Sequence, residues 1–400
     1  MPTLHTMPRW LPAVALWLAI LTPTLAAQAP PEVIQISASL HVLVLFSDGT
    51  VAALGENRAG QAGRPPVIRR FLPAARVELP TKAVQVVADE DTSYALLDDG
   101  TVWAWGRGYE RQLGVALSGP AGTDRHTPAA VPGLRDVVEI SARRNVALAV
   151  LADGTVRGWG VLTEALRGRT PEFPGVASPV PVAGLADVVH IAGGADGFAM
   201  TRDGRVFGWG TNHRGGLGLG HVSNEILPPT EIPALKDVVS LAVGAAANAA
   251  VTRDGQVLTW GHNEQANLGD GSHVDPGDPA QPAPAPVKGI TDAVEVKAGT
   301  YGRHIMVRRR NGTLIGWGNS DWGQLGAGIS GDFQPRPTPV KLPGVEAFWL
   351  GGNFSFARTT DGALWFWGEE SAARRLVAAA GNQRVPARVP AEKYLVTPPQ

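Results

Sequence analysis

No cysteine occurs among the 400 residues. That excludes disulfides, thiolate zinc centres, a cysteine nucleophile and a cysteine-borne lipid anchor. Stability must come from packing and strand pairing, which a chain of this length can supply. Excess charge is missing too: 35 basic and 36 acidic residues leave a formal net charge of −1. Binding to a phosphate backbone needs a positive excess. The densest basic run here, Arg308, Arg309 and Arg310, reads as a solvated strand end. Catalytic signatures are also absent, with no HExxH, no G-x-S-x-G and no Walker loop despite nine histidines. Beyond the N-terminus no apolar run is long enough to span a bilayer.

What is abundant is glycine, at 49 residues, and proline, at 33. Without a Gly-X-Y period, and with 44 % apolar residues, they indicate many tight turns between short strands, hence an all-β globular protein. The N-terminus carries Arg9, then the apolar stretch Leu11 to Ile20, then Ala26, Ala27 and Ala29. This pattern predicts a secretory signal peptide over 1–27, cut near Ala27, and an exported, periplasmic or extracellular domain over 28–400.

One eight-residue phrase recurs along the chain. It reads DGTVAALG from Asp48, DGTVWAWG from Asp99, DGTVRGWG from Asp153 and DGRVFGWG from Asp203. It continues as DGQVLTWG from Asp254, NGTLIGWG from Asn311 and DGALWFWG from Asp361. The phrase glycines, Gly49, Gly100, Gly154, Gly204, Gly255, Gly312 and Gly362, are spaced by 51, 54, 50, 51, 57 and 50 residues. Asp-Gly or Asn-Gly supplies a hairpin turn with positive φ. Trp105, Trp159, Trp209, Trp260, Trp317 and Trp367 then recur at one strand register, with Leu54 in their place in the first repeat. Such a register suits bulky packing between neighbouring sheets. Upstream lie a β-branched run ending in small residues, as in VIQISA from Val33, and a second run into the hairpin. Downstream come a glycine-rich loop and a Pro-Val segment. Four strands per unit and seven units predict a seven-bladed β-propeller of four-stranded antiparallel blades. The small residues closing the first strand suit a crowded inner rim. Pairing of the C-terminal segment RVPARV (Arg384 to Val389) with the N-terminal strand at Val33 would close the ring without a seam.

The composite pattern DG-x-V-x-x-W-G, N-x-x-G-Q-L-G and P-x-x-V resembles the regulator of chromosome condensation repeat family over residues 32 to 390. The resemblance implies a seven-bladed propeller. G-Q-L-G is intact at Gly323 to Gly326, partial at Gln112, Gly216 and Asn267, and GQAG at Gly60. It is absent from the third and seventh repeats, which predicts remodelled loops there. The family's namesake exchanges nucleotide on a small nuclear GTPase and binds chromatin. An export signal and balanced charge argue against carrying either role over, and a bacterial β-lactamase inhibitor protein of the same type is a nearer analogue.

Strand alternation places the turn between the first two strands and the glycine-rich loop on one face, with the DG hairpins on the other. Variable loops on a rigid frame are where recognition sits. The expected binding residues there are Trp322, Asp321, Tyr109, Arg111, His213, Arg214, Arg143, Arg144, Tyr301, Arg303 and Phe354, with Trp322 foremost. The Asp- and His-bearing insertion from His262 to Pro286 matches no metal motif and reads as a stiff surface loop. His41 and His304 suit core hydrogen bonding, and the DG carboxylates are explained by their turns. The sequence thus predicts a monomeric, non-enzymatic, protein-binding scaffold with no cofactor, metal or nucleic-acid partner. The alternatives are a hydrolytic or carbohydrate-active propeller with a central pocket, and an exchange-factor-like regulator.

Overall fold

A computed structural model describes residues 30–115, 123–162, 164–167, 175–273, 280–299, 303–329, 331–369 and 381–395. The expected signal peptide, its cut near Ala27 and Tyr301 lie outside them.

Each repeat folds into one four-stranded antiparallel sheet of consecutive strands. In blade 1 these are β1 (Val33–Ala38), β2 (His41–Phe46), β3 (Val51–Asn57) and β4 (Val67–Val77). Blades 2 to 7 span 83–130, 137–181, 188–231, 238–286, 293–339 and 345–388. The DG phrase makes the hairpin between second and third strands. Positive φ falls on the glycine alone, 83° at Gly49, while Gly49 N–H bonds Phe46 O at 2.9 Å. This is a turn followed by a left-handed glycine, so only one residue needs the conformation that lacks a Cβ. Asp48 Oδ1 accepts from Thr50 N–H (2.9 Å) and Thr50 Oγ (2.7 Å), which holds the turn and engages the carboxylate.

The first strands of successive blades neighbour one another around the axis, blade 7 meeting blade 1. As their small residues suggested, they form the inner rim. Side chains there replace ladder bonds between blades. Gln35 brackets Val86 of blade 2, accepting from its N–H at 2.9 Å and donating to its carbonyl at 3.1 Å, and Gln85 does the same to Ile140 of blade 3.

The expected closure by strand pairing is corrected. The last strand, Gln383–Arg388, pairs with its own blade's third strand, Leu364–Gly368, and β1 pairs with β2. Blades 7 and 1 meet through side chains. Phe354, Phe356 and Phe366 pack with Val33, Ile36, Val42 and Phe46, and Arg358 donates to Val33 O at 2.8 Å. With about fifty residues per repeat, every blade completes its own sheet, so closure needs only the apolar seam that every other junction uses. Seven such clusters make up the core, one per junction.

Candidate functional site

The face opposite the DG hairpins is tied together at five of the seven blade junctions by the recurring tryptophans, all six of which are fully buried. Each indole Nε1–H finds a backbone carbonyl. Trp105 donates to Gln61 O (2.9 Å), Trp159 to Gln112 O (2.8 Å), Trp260 to Gly216 O (2.9 Å), Trp317 to Asn267 O (2.8 Å) and Trp367 to Gln324 O (2.8 Å). All five acceptors sit in the glycine-rich loop of the preceding blade. Ser93, Asn248 and Ser355 add a second bond to the same carbonyls at blades 2, 5 and 7. The loop's closing glycine is required by contact as well as by conformation. Gly326 has φ 65°, and a Cβ there would lie 2.8 Å from Trp367 Nε1.

Trp209 departs from the pattern. The third repeat lacks the glycine-rich element, and Trp209 bonds Gly194 O (2.9 Å) in its own blade instead. Gly197 stands where blades 2, 5 and 7 have Ser93, Asn248 and Ser355. The third repeat's connection is remodelled as expected, with Leu162 and Leu166, the latter in a helical turn (Glu164–Arg167), filling the seam towards blade 4.

Beside this junction the loop face opens into a cavity of about 180 Å3, walled by blades 3, 4 and 5. Four of the expected binding residues line it: Arg143, Arg144, His213 and Arg214. Arg144 pairs with Asp196 of blade 4 (2.7 Å). Arg143 is 6 % exposed and reaches two blades on, donating to Gly244 O (2.9 Å) and Val243 O (3.4 Å). It therefore braces the ring and walls the cavity rather than standing free on the face.

One further expected residue, Arg303, shares a carboxylate with Arg214. Arg214 and Arg303 approach Glu264 of blade 5 from blades 4 and 6, at 4.0 and 3.5 Å. Tyr109 is 46 % exposed and Trp322 40 %, on the loops of blades 2 and 6, and neither lines the cavity. Nor do Arg111 and Asp321, which share those loops. Asp321 accepts from Asn319 Nδ2 at 2.9 Å. Phe354 is corrected as a binding residue. It opens the second strand of blade 7, is 3 % exposed and packs 5.8 Å from Phe356 and 6.0 Å from Phe366.

Sequence reasoning passed over Asp89, Asp91, Asp196 and Glu264. Asp89 accepts N–H bonds from Arg144 (3.2 Å) and Asn145 (2.9 Å), whose φ values are 54° and 60°. It thereby fixes the left-handed turn that carries Arg144. Burial pushes its carboxyl up to about 6, against those two bonds. A signal existed: at the residue following the sixth strand position the repeats read Ser39, Asp89, Arg143, Gly194, Gly244, Gly299 and Gly351. Charge replaces Ser or Gly at two of the seven. Asp91, 2 % exposed, holds Arg58 (2.7 Å) and Gln61 Nε2 (2.9 Å) and so clamps blade 1 to blade 2.

His41 and His304 sit in the core, as expected. His41 Nε2 lies 2.6 Å from Ser93 Oγ and His304 Nε2 lies 3.2 Å from Ser355 Oγ. Burial lowers His41 to about 4 despite the Glu90 carbonyl and the Asp91 charge. A second cavity of about 300 Å3 lies on the axis between the first strands. Gln35, Ser37, Lys297 and Trp349 are among its lining residues, which include no carboxylate. The paired carboxylates that glycoside hydrolysis uses are not offered there. Among the described residues no group of acidic and histidine side chains could hold a metal, and no helix is long and apolar enough to cross a membrane.

The model of the RCC1-like domain matches residues 16–349. The chain is 33 % identical over 243 residues to the probable E3 ubiquitin-protein ligase HERC6 of Homo sapiens, covering 58 % of this chain but 24 % of that protein. It is 24 % identical over 345 residues to the Regulator of chromosome condensation of Homo sapiens, covering 85 % of this chain and 72 % of that one. In structure it is similar to Prp20p of Saccharomyces cerevisiae, with TM-score 0.72, 21 % identity, and coverage of 90 % of this chain and 87 % of that one. The Prp20p report describes binding to Gsp1p and histones.

Proposed function

Because the chain belongs to the RCC1-like domain family, we propose that it is an exported, monomeric protein-binding scaffold that recognises its partner with the loop face. The contrast between the two faces carries this reading. One face repeats a single turn seven times, each with its carboxylate or amide at the same register. On the other, five loops of differing sequence are anchored at the base by an indole bond, and exposed Trp322 and Tyr109 on two of them stand on the same face as Arg144 in the first turn of blade 3. Anchoring lowers the ordering cost of binding, and aromatic and arginine side chains are the usual interface anchors. Binding rather than catalysis also suits the axial cavity, whose lining has no carboxylate. The ligase activity in the name of HERC6 belongs to a protein of which this chain covers 24 %, and is not carried over.

Capture from the source's periplasm or culture fluid with the 28–400 domain tests the reading. A specific partner should be retained by the wild type and lost in the double variant Trp322→Ala/Tyr109→Ala. Sequencing the mature N-terminus checks export, the expected start being residue 28.

A second reading, a nucleotide-exchange-type regulator, draws on the similarity to the Regulator of chromosome condensation across 85 % of this chain. Accelerated release of a fluorescent guanine nucleotide from a small GTPase, together with an uncut N-terminus, would favour it over the scaffold reading.

A further inference from the structure

Resting on the loop-face reading, we propose that the cavity between blades 3, 4 and 5 receives a glutamate side chain of the protein partner. The cavity adjoins the junction that lacks a glycine-rich loop, where Trp209 has turned to its own blade and Gly197, which lines the cavity, replaces the polar residue found opposite the tryptophan in blades 2, 5 and 7. Its size, about 180 Å3, suits one side chain. Its charge suits an anion, since Arg143, Arg144 and Arg214 line it against the single carboxylate of Asp196. Phe198, Leu217 and Ala246 provide the apolar wall on which the methylene stem of a glutamate can pack.

The site is built before ligand arrives. Asp89 holds the turn of Arg144, and Arg143 is fixed by the carbonyls of Val243 and Gly244. The Arg144–Asp196 pair is half exposed, with side-chain exposures of 52 % and 26 %. A pair of that kind is weakly held and can be re-formed with an incoming carboxylate, to which a guanidinium offers a two-pronged bond. Asp196 also sets the class of anion. Its negative charge in the wall opposes a phosphate dianion more than a singly charged carboxylate.

The probe is a fluorescein-labelled hexaglutamate peptide, read by anisotropy against the 28–400 domain, with hexalysine and phosphoserine peptides as comparisons. Hexaglutamate should bind the wild type and release as salt rises to about 0.5 M. Arg214→Glu should weaken it about tenfold or more. Asp196→Asn keeps an oxygen for the Thr211 N–H and removes the competing charge, so binding should tighten several-fold, an effect misfolding cannot mimic. Failure of hexaglutamate to bind overturns the proposal, as does an affinity unmoved by both substitutions or tighter binding of the phosphoserine peptide. If a native partner is lost with Trp322→Ala/Tyr109→Ala but kept by Arg214→Glu, the cavity assignment fails and the scaffold reading stands. If hexaglutamate behaves as expected but no partner is captured, the scaffold reading fails alone.

Discussion

The junction between blades 6 and 7 and the junction between blades 3 and 4 share the buried tryptophan and differ in the glycine-rich loop and in the residue opposite that tryptophan. At the first, Gln324 O in the loop of blade 6 accepts from both Trp367 Nε1 (2.8 Å) and Ser355 Oγ (2.9 Å) of blade 7. At the second, the repeat supplies no such loop and the same tryptophan register turns inward to Gly194 O. The tryptophan keeps its burial and its hydrogen bond either way, because a buried indole N–H left unpaired is costly. What changes is which blade provides the acceptor. With a loop the indole ties two blades together; without one the blades meet through apolar packing, and the face above them opens into the cavity.

Removing the two indoles would test this most severely. Trp367→Ala and Trp209→Ala should each cost about 3–5 kcal/mol in denaturant unfolding. They should differ in hydrogen exchange. Trp367→Ala should release the loop around Gln324 in the neighbouring blade, whereas Trp209→Ala should loosen only the turn at Gly194. Equal loosening of both neighbours would erase the distinction between the junctions.

Acid sharpens the comparison, because two loop-bearing junctions carry buried titratable groups of opposite effect. His41 falls from 6.5 to about 4 on folding. The unfolded chain therefore takes up a proton that the folded one refuses, and stability is lost as pH falls below 6.5, by about 3 kcal/mol at pH 4. Asp89 rises from 3.8 to about 6. Its folded form takes up the proton first, so stability is gained as pH falls from 6, by about 2 kcal/mol at pH 4 and about 3 kcal/mol below pH 3. The two should nearly cancel in the wild type. Asp89→Asn should unmask the His41 loss and His41→Gln the Asp89 gain, both measured as unfolding free energy against pH. Parallel pH profiles for the two variants would contradict these assignments.

The smallest effect is expected at blade 1, where Leu54 occupies the tryptophan register, 2 % exposed in the blade 7 seam. The seventh repeat, like the third, lacks the glycine-rich element. Leu54→Trp should therefore bring strain without an interblade bond and destabilise by about 1–3 kcal/mol. A stabilising Leu54→Trp would mean that the loop is not what the indole requires.

The repeat count, the four strands per unit, the hairpin at each DG phrase and the burial of each tryptophan were all legible in the chain. Each depends on residues close in sequence or recurring at a fixed register. The division into two faces followed from strand alternation alone. The closure did not. Pairing of the two ends and docking of two complete sheets place the same residues at the same ends of the chain, and only the register of Gln383–Arg388 against Leu364–Gly368 separates them.

The binding residues were legible in part. Arg143, Arg144, His213 and Arg214 are loop residues by position, and they converge because blades 3 and 4 are neighbours in the ring. Phe354 reads as a loop residue by its place after Gly351, Gly352 and Asn353, yet it begins a strand and fills the seam with blade 1. Asp89 and Glu264 went unread because their partners lie in other blades: Asp89 holds Arg144 and Asn145, and Glu264 meets Arg214 and Arg303.

By itself the sequence determined the unit and its multiplicity, since turn chemistry and strand periodicity act over a few residues and repeat. The tertiary structure decided which blade each indole bonds, how the ring closes and which charges meet. Those contacts join groups roughly fifty or a hundred residues apart, and their separation in space is set by the packing of whole sheets rather than by any local preference of the chain.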